Sequence, residues 1–138
     1  ARIARQVLDS GSTAALAVTQ ADIMFSAATK AQRPEVVHWL QDTIGRQDPS
    51  GVANAQYAMA GRAEQFAMLA CLHQPVLCIR GAEDALASAE DHARMASASG
   101  DGLDVTIADA GHLVPIERPL EFVKHAVPFL LYIRAPHC

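Results

Sequence analysis

Two short apolar runs separated by a helical segment most narrow the folds open to this chain. The run PVLCIR begins at Pro75 and is bounded by Gly81, and the run LDVTIAD occupies residues 103–109. The first run is continuous and has the length that is typical of a strand buried on both faces of a parallel sheet, and the second run predicts another strand. Between them, Ser88 predicts a helix N-cap and Asp91 completes a capping-box-like S-x-x-D. A strand, a crossover helix and a second strand form a right-handed βαβ unit, so we predict an α/β fold.

Helices are predicted on both sides of this unit. Residues 1–70 are rich in alanine and contain few helix-breaking residues, and Pro34 and Pro49 each mark the first turn of a predicted helix. After the second strand, RPLEFVKHAVPFLLYI predicts a closing helix. Pro128 should kink this helix or end it near Val127, because proline removes a backbone hydrogen bond.

The composition argues against several classes of function. The 138 residues have a net charge of −4, and an acidic chain lacks the electrostatic surface that binds nucleic acid or an anionic membrane. No window reaches the ~20 apolar residues of a membrane span. Cys71, Cys78 and Cys138 form an odd set without C-x-x-C spacing. This pattern favours a reducing, cytoplasmic setting over a disulfide framework or a thiolate metal site.

One ionisable side chain follows each predicted strand. Asp84 lies in GAEDALAS after the first strand, and His112 lies in DAGHLVPIERP after the second. Because parallel strands end at the same edge of a sheet, we expect these side chains on neighbouring loops. A carboxylate that accepts a hydrogen bond from imidazole Nδ1–H leaves Nε2 as a general base toward a nucleophile. Taken singly, each residue could equally be a turn or cap residue; together they make two members of a Ser-His-Asp triad.

These segments resemble the C-terminal part of an α/β-hydrolase. QPVLCIRGAEDALAS contains the G-x-x-D, and DAGHLVPIERPLEFVKHAVPFL contains the G-H-x-x-x-x-E-x-P. The alanine-rich first half resembles the cap of the 3-oxoadipate enol-lactonase branch. The resemblance implies a helical cap or lid at residues 1–70, and the last two strands and helices of a parallel α/β core at residues 71–138. It also implies that Asp84 and His112 are catalytic in the hydrolysis of a carboxylic ester or enol-lactone.

The sequence departs from this family in its nucleophile. No G-x-S-x-G occurs, and the segments around Ser12 and Ser99, DSGST and ASGDG, both lack that pattern. We therefore expect the nucleophile elbow and the oxyanion-hole amides to come from an N-terminal half of the same hydrolase, and the chain alone to be inactive. Two alternatives stay open: a non-hydrolytic relative, such as a cofactor-free oxygenase, a perhydrolase or a binding protein, and a catalytically inert fragment.

The remaining candidates concern substrate binding. Trp39, Tyr57 and Arg62 lie in the predicted cap and could line a pocket, although packing and surface roles are commoner for such residues. The other histidines show no metal-ligand spacing; they are His38, His73, His92, His125 and His137. We therefore predict no metal and no cofactor, and a small-molecule ester or lactone as the ligand.

Overall fold

The computed structural model describes residues 2–134 of the chain. Six helices precede the first strand in the described residues: α1 (Arg2–Ser10), α2 (Ala14–Met24), α3 (Ala27–Gln32), α4 (Pro34–Gly45), α5 (Pro49–Ala60) and α6 (Phe66–Leu69). The strands and remaining helices follow: β1 (Val76–Gly81), α7 (Ala89–Ala98), β2 (Gly102–Ile107), α8 (Val114–Glu117) and α9 (Pro119–Arg134). Within residues 2–134, no helix combines the length and the apolar character that crossing a membrane requires.

Polar side chains cap the first turns of α5 and α7. Asp48 accepts a hydrogen bond from the Gly51 N–H at the start of α5. At the start of α7, the Ser88 hydroxyl accepts from the Asp91 N–H and donates to the Asp91 carboxylate. Such caps satisfy N–H groups that the first helical turn leaves unpaired. The predicted N-cap of α7 is therefore confirmed.

The sheet of the described residues consists of two parallel strands. β1 pairs with β2 from Val76 opposite Gly102 to Gly81 opposite Ile107, and α7 packs against both strands. This is the predicted strand-helix-strand unit. The residues of β1 before Gly81 are half-buried, so the predicted burial on both faces is wrong for these residues as described. Within residues 2–134, β1 has a neighbouring strand on one edge only, so side chains of a second neighbouring strand are not there to cover those of β1.

Helix α9 continues through Pro128, so the predicted end near Val127 is wrong, while the predicted kink at Pro128 stays a prediction. Proline cannot donate the backbone hydrogen bond of its turn. Beyond Pro128, however, α9 packs against both strands, and the half-buried Phe129 lines a surface depression with Leu77 and Val105. Packing of the helix against the sheet can offset the missing hydrogen bond.

The segment after β2 joins two apolar clusters. One cluster consists of Ala21, Phe25, Val36 and Leu40, from α2, the residue that follows it, and α4. The other consists of Ile107, Ala110 and Val114, at and after the end of β2. Leu113 and Ile116 pack against the first cluster, although they neighbour Val114 of the second. The polypeptide that contains His112 is therefore held from both sides.

Candidate active site

Asp84 lies in the loop between β1 and α7, which we call the Asp84 loop (residues 82–88). Its Oδ1 accepts hydrogen bonds from the N–H groups of Leu86 at 2.8 Å and Ala87 at 3.1 Å. Short carboxylate side chains readily bond backbone N–H groups a few residues further on in this way. These two hydrogen bonds from its own loop fix the carboxylate in position, and the Asp84 side chain is only 4% exposed.

His112 lies in the loop between β2 and α8, which we call the His112 loop (residues 108–113). Its Nδ1 lies 2.9 Å from Oδ2 of Asp84 and 3.1 Å from Oδ1. Because a carboxylate accepts, Nδ1 is the donor, and in a neutral ring the lone pair is then on Nε2. Nε2 has no hydrogen-bond partner in the part of the chain that the structure describes. The side chain is 36% exposed, so Nε2 is available to a reacting group.

Two glycines allow the loops to approach each other and the helical first half. A Cβ at Gly81, the last residue of β1, would collide with the carbonyl oxygens of Ala110 and Gly111. A Cβ at Gly111 would lie 2.6 Å from the Met24 carbonyl oxygen. The Glu83 N–H donates to the Ala110 carbonyl at 2.9 Å, which links the Asp84 loop directly to the His112 loop. Glycine at both positions is needed for this close backbone approach.

The pKa of the Asp84 carboxyl lies below its ordinary value of 3.8. Burial acts to raise this pKa, but the hydrogen bonds from His112 and from the N–H groups of Leu86 and Ala87 favour the charged form and outweigh it. Asp84 is therefore ionised at neutral pH and can stabilise an imidazolium.

The lowered pKa of Asp84 should make stability depend on pH in the acid range. The folded-state pKa is below the unfolded-state value, so ionised Asp84 stabilises the fold above the ordinary pKa, and this contribution is lost as pH falls through the folded pKa. We expect the free energy of unfolding to fall more steeply from about pH 5 to about pH 3 in the wild type than in Asp84→Asn. Urea denaturation of the chain bound to the N-terminal half, at one protein concentration and at each pH, measures this, and parallel curves would contradict it.

Among the predicted binding residues, Trp39 shares a surface depression with a residue of the helix that follows the His112 loop. It is on α4 and 51% exposed, and it lines an apolar surface depression with Val36 and Ile116. Ile116 belongs to α8, which directly follows the His112 loop. Trp39 therefore lies beside the helix that follows the His112 loop, and its binding role stays a prediction.

Tyr57 and Arg62 are not brought to the pair of ionisable residues by any described contact. Tyr57 is 45% exposed on α5, and Arg62 is exposed just after that helix, which packs on α1. Their binding roles also stay predictions. Among residues 2–134, no group of three or more His, Cys, Asp and Glu side chains is arranged to hold a metal ion.

A buried carboxylate that the sequence does not indicate lies beneath the His112 loop. Glu117 is only 2% exposed. Its carboxylate accepts hydrogen bonds from the N–H groups of Gly111, Leu113 and Ser26 and from the Thr29 hydroxyl. Glu117 is the glutamate of the motif G-H-x-x-x-x-E-x-P, which can be read in the sequence. The sequence does not indicate that this side chain is buried, because glutamate side chains are usually exposed.

Solved structures with this architecture include hydrolases of about twice the length. A thermophilic esterase from Thermogutta terrifontis matches with a TM-score of 0.89 at 29% identity, over 97% of this chain and 49% of that one. The enol-lactonase from Burkholderia xenovorans LB400 matches with a TM-score of 0.87 at 27% identity, over 94% and 49%. The chain has the fold of the C-terminal half of an α/β-hydrolase. A hydrolase from Pseudomonas aeruginosa PA01 shares this α/β-hydrolase fold, with a TM-score of 0.80 at 24% identity, over 94% and 48%.

These similarities confirm the predicted partial α/β-hydrolase fold and the resemblance to an enol-lactonase. No family model and no curated protein matches the sequence. The chain spans about half the length of the esterase and the enol-lactonase. The division into a cap at residues 1–70 and a core at residues 71–138 stays a prediction.

Proposed function

We propose that this chain supplies the acid and the base of a serine α/β-hydrolase that cleaves a carboxylic ester or an enol-lactone. The main support is the pair itself: Nδ1 of His112 lies 2.9 Å from Oδ2 of Asp84, and Nε2 points away from the carboxylate. The two residues leave neighbouring parallel strands, where α/β folds place their chemistry. The likeness to an esterase and an enol-lactonase favours acyl transfer over other reactions of such a pair.

In the proposed reaction, Nε2 of His112 takes the proton from a serine hydroxyl as the serine oxygen attacks the substrate carbonyl. The resulting imidazolium is stabilised by the ionised carboxylate of Asp84, and it returns its proton to the leaving oxygen as the ester or lactone bond breaks. His112 then activates water, which releases the acid from the acyl-enzyme. Each backbone amide of an oxyanion hole stabilises the tetrahedral intermediates by ~3–4 kcal/mol.

The serine and the oxyanion hole define the proposed partner, the N-terminal half of the same hydrolase. Apolar side chains are exposed on the surface that such a partner could cover: Leu120 is 83% and Leu131 63% exposed on α9, and Leu103 is 54% exposed on β2. Two parallel strands do not form a stable sheet by themselves, and open strand edges attract further strands. We expect the N-terminal half to continue the sheet through a hydrophobic interface of more than about 2,000 Å². The assembled protein below means this chain together with that half.

The rest of the proposal concerns the ligand and the setting. The substrate is a small-molecule ester or lactone, and Trp39 with Ile116 supplies an apolar wall for its acyl part. Tyr57 and Arg62 are kept as candidate contacts for a more distant part of the substrate. The reaction needs no metal, cofactor, nucleic acid or membrane. Among residues 2–134, Cys71 and Cys78 are free, which fits a cytoplasmic protein; Cys138 lies outside the described residues.

Asp84→Asn tests the proposed function in the assembled protein. We expect kcat for an aryl ester to fall about 10⁴-fold, because the asparagine amide can donate to Nδ1 and stabilises the wrong imidazole tautomer. The matched control is Asp101→Asn, which neutralises an exposed carboxylate before β2 and should leave kcat unchanged. Steady-state hydrolysis measures both variants.

Three outcomes would contradict the proposal in different ways. Equal kcat values for Asp84→Asn and the wild type would remove the carboxylate from the mechanism. An assembled protein that binds esters without hydrolysing them would favour a non-hydrolytic relative. An assembled protein that neither binds nor hydrolyses esters would favour a catalytically inert fragment.

A further inference from the structure

The backbone on both sides of His112 is bonded to one carboxylate oxygen. Oε1 of Glu117 accepts from the Gly111 N–H at 2.8 Å and from the Leu113 N–H at 3.3 Å. The His112 N–H itself donates to the Met24 carbonyl at 2.8 Å. Three consecutive N–H groups of the His112 loop are thus occupied, which leaves the loop little freedom to rotate the imidazole away from Asp84.

The other oxygen of Glu117 is bonded to the start of α3. Oε2 accepts from the Ser26 N–H at 2.8 Å and from the Thr29 hydroxyl at 2.9 Å. Both oxygens therefore accept two hydrogen bonds each, which compensates the loss of hydration of a buried charge. All four of these donors are neutral N–H or O–H groups. The guanidinium of Arg33 donates to the main-chain carbonyls of Ile116 and Glu117, and not to the carboxylate.

The Asp84 loop is attached to the same backbone segment. The Ala27 N–H, which follows the Ser26 N–H in sequence, donates to Oε2 of Glu83 at 2.8 Å. Glu83 directly precedes Asp84. Glu83 thus attaches the Asp84 loop to the N–H group of Ala27, and Glu117 attaches the His112 loop to the neighbouring N–H group of Ser26. Because both loops are held by the same short segment, the distance between Asp84 and His112 is fixed.

We propose that Glu117 is a positioning residue for His112: its hydrogen bonds to Gly111 and Leu113 hold the imidazole against Asp84. The catalytic meaning of this inference rests on the proposed function, while the positioning itself can be measured without any activity. Glu117 does not touch the substrate. Its loss should act through the geometry of His112, where a displacement of about 1 Å can cost about 100-fold in rate.

Glu117→Gln in the assembled protein is the direct test. Glutamine has one acceptor oxygen and one donor NH₂, so two of the four N–H and O–H donors around the side chain would face a donor. We expect kcat for an aryl ester to fall about 100-fold with KM unchanged. We also expect the downfield proton resonance of His112 Nδ1–H, assigned by its loss in His112→Ala, to broaden or move upfield.

Glu121→Gln is the matched control. Glu121 lies four residues further along the chain, and its exposed carboxylate pairs with Lys124 at 3.3 Å. It undergoes the same change of charge and of chemistry without contact to the His112 loop. We expect wild-type kcat and a wild-type Nδ1–H resonance for this variant.

Thr29 provides a second pair of variants if Glu117→Gln does not fold. Thr29→Val removes the hydroxyl that donates to Oε2 of Glu117 and leaves the carboxylate in place, whereas Thr29→Ser retains the donor. We expect Thr29→Val to lower kcat by about 3- to 10-fold, the effect of one hydrogen bond, and Thr29→Ser to restore it. The Nδ1–H resonance should change in the same order.

The two readouts separate this inference from the proposed function. If the wild type hydrolyses esters and Glu117→Gln matches Glu121→Gln in kcat and resonance, the positioning role is wrong and the proposed function stands. If the wild type has no turnover but Glu117→Gln alone alters the resonance, the positioning role stands and the proposed function is wrong. A fall in kcat with an unchanged resonance would also overturn the inference, because the loss would not act through His112.

Discussion

Replacing His112 by alanine in the assembled protein is expected to lower kcat for an aryl ester by about 10⁶-fold. Alanine leaves no base to take the serine proton and no acid to return a proton to the leaving oxygen. The carboxylate of Asp84 cannot take over as the base, because the imidazole ring separates it from the serine hydroxyl in the proposed triad. The residual rate would come from the oxyanion hole and substrate binding alone.

The effect of His112→Ala should be specific to that ring. His73→Ala is the control, since His73 is exposed in the segment before β1, outside both loops. It should retain wild-type kcat and KM, whereas His112→Ala should change kcat far more than KM. A loss of less than about tenfold in His112→Ala would remove the imidazole from the mechanism.

The two loop substitutions should also differ in size, because the residues have different tasks. In the proposed reaction, His112 exchanges protons with the reacting atoms, whereas Asp84 orients the ring and stabilises its charged form. The loss in Asp84→Asn should therefore be about 100-fold smaller than that in His112→Ala. In the double variant the losses should not add, since Asp84 has no ring left to orient.

The fold was predictable where its signals are local. The strand-helix-strand unit follows from two apolar runs and from the Ser88 cap, each of which is decided within a few residues. The neighbourhood of Asp84 and His112 then follows from topology, because parallel strands that are joined by one crossover end at the same edge. The order of the strands and the helix is therefore sufficient to predict that Asp84 and His112 are neighbours.

The supports of the site could not be predicted, because they join distant parts of the chain. Ser26 and Glu117 are 91 residues apart in sequence, and neither has a local pattern that indicates the other. Their contact depends on how the helical first half packs against the His112 loop. Pro128 is a second example of a feature that depends on distant parts of the chain. Its local tendency to end a helix is outweighed by the packing of α9 on the sheet.

This chain on its own is expected to show no esterase activity above background. It contains Asp84 and His112 but no G-x-S-x-G, so a proton acceptor would be present without an activated nucleophile. The oxyanion hole, which is usually the largest single catalytic contribution, would be missing as well. Aryl ester hydrolysis should therefore appear only when the N-terminal half is added, and it should then disappear again with His112→Ala.

The same chain should associate when it is alone, because the partner would cover surfaces that are now open. Leu120 and Leu131 on α9 are mostly exposed, and the sheet of the described residues ends after two strands. Sedimentation should show mixed oligomers for the chain alone and one species of defined mass after the N-terminal half is added. A monodisperse monomer with a cooperative thermal transition would contradict the need for a partner. Turnover by that monomer, abolished by His112→Ala, would instead place the nucleophile within these 138 residues.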